Sequence, residues 1–137
     1  MDEPALKIAD YWTFPNRFEI ASEWWESHDK KGVFNEATLP KMAIFVLSDG
    51  EPICMLAADM SNSCGKAYIE SGLTAPGLTV SKAREVLQFA ERALFSSLKI
   101  HNYGLAQIFT SPALARTLEK DGWINQGEVI YLVKPIT

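Results

Sequence analysis

A chain of 137 residues with 47% apolar and 22% charged residues has the composition of an ordinary globular protein and is long enough to bury one sizeable core. Its formal net charge of −4 argues against a general nucleic-acid binder, whose surface would be basic, while leaving room for a local basic patch at Lys82, Arg84 and Lys99. No apolar run approaches the ~20 residues that span a bilayer, no signal-peptide pattern opens the chain, and two cysteines are too few for a disulfide framework, so the expectation is a single cytoplasmic, soluble domain over residues 1–137.

Leu6 to Phe14 alternates imperfectly and reads as an edge strand. Pro15 then suits a helix start, because its missing amide costs little in a first turn. Asn16 to Asp29 follows with Phe18, Ala21, Trp25 and His28 three and four apart, and Trp24 joining that face from the side. Lys30-Lys31-Gly32 should stop the helix, with cations near its negative end and a glycine to turn the chain. His28 has the chemistry to titrate near neutral pH, but beside two tryptophans it reads as a rim residue. Val33 to Pro40 reads as an irregular connection.

Lys41–Ser48 and Ile53–Met60 read as strands of a hairpin closed by Asp49-Gly50, residues that both accept positive φ. Ser61–Gly65 makes another turn, and Lys66–Thr74 a third, buried strand. Ala75-Pro76-Gly77 breaks it. From Ser81, taken as the cap, the apolar period becomes helical, with Ala83, Val86, Leu87, Ala90, Leu94 and Leu98 on one stripe. Asn102-Tyr103-Gly104 ends that helix, where His101 should meet the negative helix end. Leu105–Thr110 reads as a strand parallel to Lys66–Thr74, since a long crossover helix joins them. Ser111-Pro112 starts a short helix to Lys120, and Trp123–Asn125 with Glu128–Lys134 forms a last hairpin. The fold class is therefore α/β (α+β), a mixed sheet in which an antiparallel meander leads into a parallel βαβ unit.

A βαβ unit binds anions where the first strand meets the helix N-terminus, because unpaired amides and the helix dipole point there. The order of elements resembles the GNAT acyltransferases over most of the chain, most clearly from Lys66 to Lys134. Ser111, Leu114, Leu118, Gly122 and Trp123 fall at the spacing of that family's Asn-x-x-Ala-x-x-x-Tyr-x-x-x-Gly-Phe segment, with the glycine and the aromatic kept and Ser111 standing for Asn. Leu78-Thr-Val-Ser-Lys-Ala83 matches the Arg/Gln-x-x-Gly-x-Gly/Ala pyrophosphate loop only at Ala83. An early Trp-rich helix and a Leu-Pro before the meander also resemble small GNAT-like proteins of bacteriophages.

The resemblance implies acetyl-CoA, or another acyl-CoA, with its pyrophosphate on the backbone amides of Val80, Ser81, Lys82, Ala83 and Arg84. The Lys82 and Arg84 side chains would lie near the phosphates, and Ser111 would belong to the same site. The pantetheine arm would run beside Ser71 and Leu73, and an amide near Glu70 or Ser71 would polarise the thioester. A small-molecule or protein amine would attack directly, with Glu70 or Glu128 as general base. The family's tyrosine acid is replaced by Leu118, with Tyr68, Tyr103 and Tyr131 as substitutes and Tyr131 the one taken. Leu114 replaces a small alanine and Ser81 a glycine. These departures keep a second class open, a GNAT-fold binding or structural module without catalysis in which side chains such as Leu78 or Thr79 fill the anion site.

Other residues have plainer readings. Trp12, Trp24 and Trp25 suit an acceptor pocket, a dimer face or the core. Cys54 and Cys64 lack a matched histidine, so no thiol nucleophile is expected, and Cys54–Cys64 pairing across a hairpin is secondary to idle thiols. The two histidines have no metal-ligand spacing, so no metal is expected. The apolar run Val129–Val133 offers an edge for a homodimer.

Overall fold

The computed structural model describes residues 5–28 and 32–136. Lys30 and Lys31, part of the expected helix stop, lie outside them. The chain divides into two compact units, Met1–Gln107 and Ile108–Thr137.

The first unit is a five-stranded sheet in the order β1-β2-β3-β4-β5. Strand β1 (Leu6–Asp10) forms the predicted edge but stops short of the expected Phe14, and it pairs antiparallel with β2 (Met42–Ser48). Asp49 and Gly50 turn the chain with φ of 49° and 84°, and β3 (Glu51–Met60) returns antiparallel. Strand β4 (Lys66–Thr74) has the predicted limits and pairs antiparallel with β3, then parallel with β5 (Leu105–Gln107). The predicted fifth strand ran to Thr110, whereas only three residues pair with β4.

Helix α1 (Arg17–Ser27) and helix α2 (Val80–Ile100) account for two separate apolar sets. Phe45, Met55, Ala57 and Leu73 cluster with Tyr11, Ala21, Trp24 and Phe34. The buried members of α1 are Ala21 and Trp24, so the inward stripe is rotated from the predicted Phe18–Ala21–Trp25–His28 line. Phe18 is 46% exposed, while Trp24 packs edge-on against Phe45 with ring centroids 5.7 Å apart. Trp25 remains at the margin, its indole Nε1 donating to Gly32 O at 3.2 Å. The connection after α1 contains one 3-10 turn, Glu36–Thr38.

Helix α2 buries Val86, Ala90, Leu94 and Leu98, the predicted stripe less Ala83 and Leu87. Burying each large aliphatic side chain there contributes roughly 1.5–3 kcal/mol. Its cap is Thr79 rather than Ser81: the Thr79 hydroxyl accepts from Lys82 N at 3.1 Å. Both residues offer a hydroxyl, but only the one preceding the first helical residue can reach the third amide. At the other end His101 Nδ1 lies 2.8 Å from Ser97 O, as its position suggested. Tyr103 Oη donates to Ser61 O at 2.7 Å, and Gly65 O accepts from both Gly104 N and Leu105 N, at 2.9 and 3.2 Å. These bonds tie the start of β5 to the β3–β4 turn.

In the second unit, α3 (Pro112–Lys120) begins on Ser111, whose hydroxyl accepts from Leu114 N at 3.3 Å. It ends through Gly122, with φ 97°, and Trp123 N donating to Leu118 O at 3.1 Å. The predicted closing hairpin is not formed, and no strand occurs among the described residues after Gln107. Asn125 Oδ1 does accept from Gly127 N at 2.8 Å, so the turn exists without its ladder. A hairpin arm of only Trp123–Asn125 is too short to hold a two-stranded ribbon by itself.

Candidate functional site

The two strands of the βαβ unit part early. Parallel pairing covers Lys66↔Leu105, Ala67↔Ala106 and Tyr68↔Gln107, and from Ile69 to Thr74 β4 has no strand partner on that edge among the described residues. Within this stretch β4 carries a bulge. Met55 faces Leu73 and Ala57 faces Glu70, so Ser71 and Gly72 together oppose Leu56. Ser71 takes φ 57°, a left-handed conformation that costs a non-glycine residue on the order of 1 kcal/mol. A Cβ at Gly72 would stand 3.4 Å from Leu56 Cδ1 and 4.0 Å from Leu87 Cδ2, at the close end of ordinary contact on the α2 side.

The bulge resets which backbone groups face the open edge. Ala75 N donates to Ile53 O at 2.9 Å, which turns Leu73 and Ala75 toward β3 and the groups of Gly72 and Thr74 away from it. The sequence reading runs an arm beside Ser71 and Leu73; past the bulge, the amides and carbonyls on that open edge are those of Gly72 and Thr74. Thr74 O takes a hydrogen bond from His28 Nε2 at 2.7 Å. Around it lies an open cleft of about 250 Å³ lined by His28, Gly72, Thr74, Ala83 and Leu87. The predicted rim histidine is therefore part of this cleft. The sequence places His28 inside a helix running to Asp29, whereas α1 ends at Ser27 with His28 as its C-cap, and its neighbour 46 residues away was not legible.

At the α2 N-terminus the cap uses Lys82 N, and Ala83 N donates to Thr79 O at 2.9 Å. Among the described residues this leaves Val80 N and Ser81 N as first-turn donors without a protein acceptor, a narrower set than the predicted Val80–Arg84 run. Val80, Ser81 and Arg84 are exposed. The Lys82 ammonium is 3.5 Å from Glu85.

Glu70 shares the Ala57 register position and hence the sheet face of the Phe45–Met55 cluster, with Asp59 next on that face of β3. Burial, and then the charge of Asp59, raise its carboxyl above the ordinary glutamate value. On the same face Lys66 Nζ lies 5.6 Å from the Tyr68 ring centroid. Ser111, Glu128 and Tyr131 belong to the second unit. There Ser111 is engaged as a cap, and Tyr131 is 75% exposed with its ring 6.4 Å from that of Phe109.

A larger open groove of about 490 Å³ runs along Phe18, Val33, Phe34 and Glu36. Its one carboxylate, Glu36, is already held by Tyr11 Oη at 3.1 Å and Arg17 Nε at 3.6 Å, so it offers less free chemistry than the β4 edge. No group of three or more potential metal-ligating side chains occurs among the described residues, and none of their helices is long and apolar enough to cross a membrane.

No family model matches the sequence, and no curated protein matches it either. Solved structures do match along nearly their whole length. An aminoglycoside acetyltransferase from an uncultured soil metagenomic sample is 13% identical, with 99% of this chain and 100% of that one covered and a TM-score of 0.68. A predicted acetyltransferase from Clostridium acetobutylicum, solved with acetyl-CoA, is 12% identical over 94% and 95% of the two chains, with a TM-score of 0.64. An aminoglycoside N-acetyltransferase in complex with the bisubstrate analogue CoA-S-monomethyl-acetylneamine is 16% identical over 96% and 99%, with a TM-score of 0.65. The mixed sheet that opens beside β4 thus shares the fold of these solved acetyltransferase structures, a GNAT-like arrangement.

Proposed function

We propose that residues 1–137 act as one cytoplasmic acyl-CoA-dependent N-acyltransferase domain, moving an acetyl group from acetyl-CoA, or another acyl group from its CoA thioester, to an amine by direct attack. The observation that carries this reading is the early parting of β4 and β5 beside the α2 N-terminus, with the Ser71 bulge between them. An arm rich in amides fits a strand edge whose Gly72 and Thr74 groups face outward. A pyrophosphate fits next to the Val80 and Ser81 amides, where the helix dipole adds attraction, with Lys82 and Arg84 nearby in sequence. The degenerate loop, with Ser81 in place of glycine, then works through backbone amides alone. The solved relatives that carry acetyl-CoA or a CoA-linked aminoglycoside support the same assignment.

Glu70 is the proposed general base. Its raised carboxyl pKa suits it to take a proton from an attacking amine better than an ordinary exposed carboxylate. Tyr131 is the proposed donor to the leaving thiolate, with Glu128 the second candidate base and Ser111 a second-unit contributor. The acceptor is a small-molecule or protein amine. The exposed Val129–Val133 run is the proposed contact of a homodimer.

One observation favours a second reading, a GNAT-fold module without catalysis that serves a phage particle or binds a host protein: the Thr79 hydroxyl already occupies one amide of the anion site. Calorimetric titration with acetyl-CoA and with desulfo-CoA separates the two. Acyl transfer requires micromolar binding that Ser81→Glu abolishes by setting a carboxylate against the pyrophosphate. No binding at millimolar ligand would overturn it in favour of the module.

A further inference from the structure

We infer that His28 is a movable cover on the ligand edge of β4, holding Thr74 until an amide-bearing ligand displaces it. This rests on the acyl-CoA reading above and adds a regulatory element to that site. Past the bulge, the outward carbonyl of Thr74 would ordinarily be an unpaired acceptor on a strand edge. Instead His28 Nε2 sits 2.7 Å from that carbonyl and 3.4 Å from the Thr74 hydroxyl. A carbonyl oxygen only accepts, so Nε2 carries the hydrogen in this bond, and the imidazole lines the same cleft as Gly72, Ala83 and Leu87.

His28 is the C-cap of α1, so its backbone is fixed by its own amide donating to Trp24 O at 3.2 Å. Only rotation of the side chain is needed to clear the edge. An arm lying along β4 and donating an amide N–H to Thr74 takes the space the ring fills, so the two exclude each other. The protein thereby keeps its strand edge satisfied when empty, at the cost of part of its affinity.

Isothermal titration of the full chain with desulfo-CoA tests this. Loss of one competing hydrogen bond to a backbone carbonyl should make His28→Ala bind about five-fold tighter than the unmodified protein. Equal or weaker binding by His28→Ala, with the unmodified protein binding normally, overturns the inference and leaves the acyl-CoA reading standing. Failure of the unmodified protein to bind overturns both. A second readout does not depend on affinity. Long-range ¹H–¹⁵N spectra should give the Nε2–H tautomer for His28 in the free protein, and ring signals that shift on saturation with desulfo-CoA. Signals unmoved at saturation overturn the cover.

Discussion

Glu70 stands where burial and a neighbouring carboxylate both oppose its charge. A carboxyl whose folded value is raised binds its proton more tightly folded than unfolded. Its ionisation therefore subtracts stability above the folded pKa, and that loss disappears as pH falls through it. Glu70→Gln should lower kcat about 10²- to 10⁴-fold while melting no lower than the unmodified protein at neutral pH, with the melting difference closing on acidification. A melting temperature that drops at pH 7 would mean the carboxylate is structurally engaged instead. The two thiols diverge in the same physical terms. Burial pushes Cys54 up to about 12, whereas the Ser61 hydroxyl hydrogen-bonded to exposed Cys64 lowers its value. Iodoacetamide at pH 7.5 should label Cys64 alone, with Cys54 reacting only after denaturation. Comparable rates at both would contradict this burial pattern.

At the level of elements, the β4 bulge and the α1 face carry separate expectations. Ser71→Gly relieves the left-handed conformation and should stabilise by about 0.5–1 kcal/mol without loss of ligand binding, while Ser71→Val should destabilise and weaken binding together. Urea denaturation beside titration with desulfo-CoA reads both. Trp24→Ala should cost about 3–5 kcal/mol and Trp25→Ala clearly less, since Trp24 is buried and Trp25 sits at the margin. The sequence made most element limits legible, because β4 and α2 obey clean periods and Asp49-Gly50 demands a hairpin. It hid the bulge, since nothing about serine announces positive φ, and it misread the cap because Thr79 and Ser81 offer the same hydroxyl two residues apart. The α1 stripe failed for a related reason: with adjacent tryptophans, a rotation of one position fits the spacing almost equally well. His28 was invisible as a cleft residue because its partner is set by the tertiary fold rather than by local pattern.

For the whole molecule, the apolar run of the second unit bears on assembly. Val129, Ile130, Tyr131, Leu132 and Val133 are all between 66% and 87% exposed. If this run is the homodimer contact, sedimentation velocity should find a concentration-dependent dimer that Leu132→Glu abolishes; a monomer throughout rejects that role. The first unit has its own weak place. Its parallel pairing rests on three residues of β5, reached only after the chain has passed through all of α2, with Gly65 O shared between Gly104 N and Leu105 N. Such a junction gains few contacts for the chain entropy its closure removes. In deuterated solvent the Gly104 and Leu105 amides should therefore exchange through local opening far faster than those of the β2–β3 ladder, so that β5 can detach and reclose while the rest of the sheet stays folded.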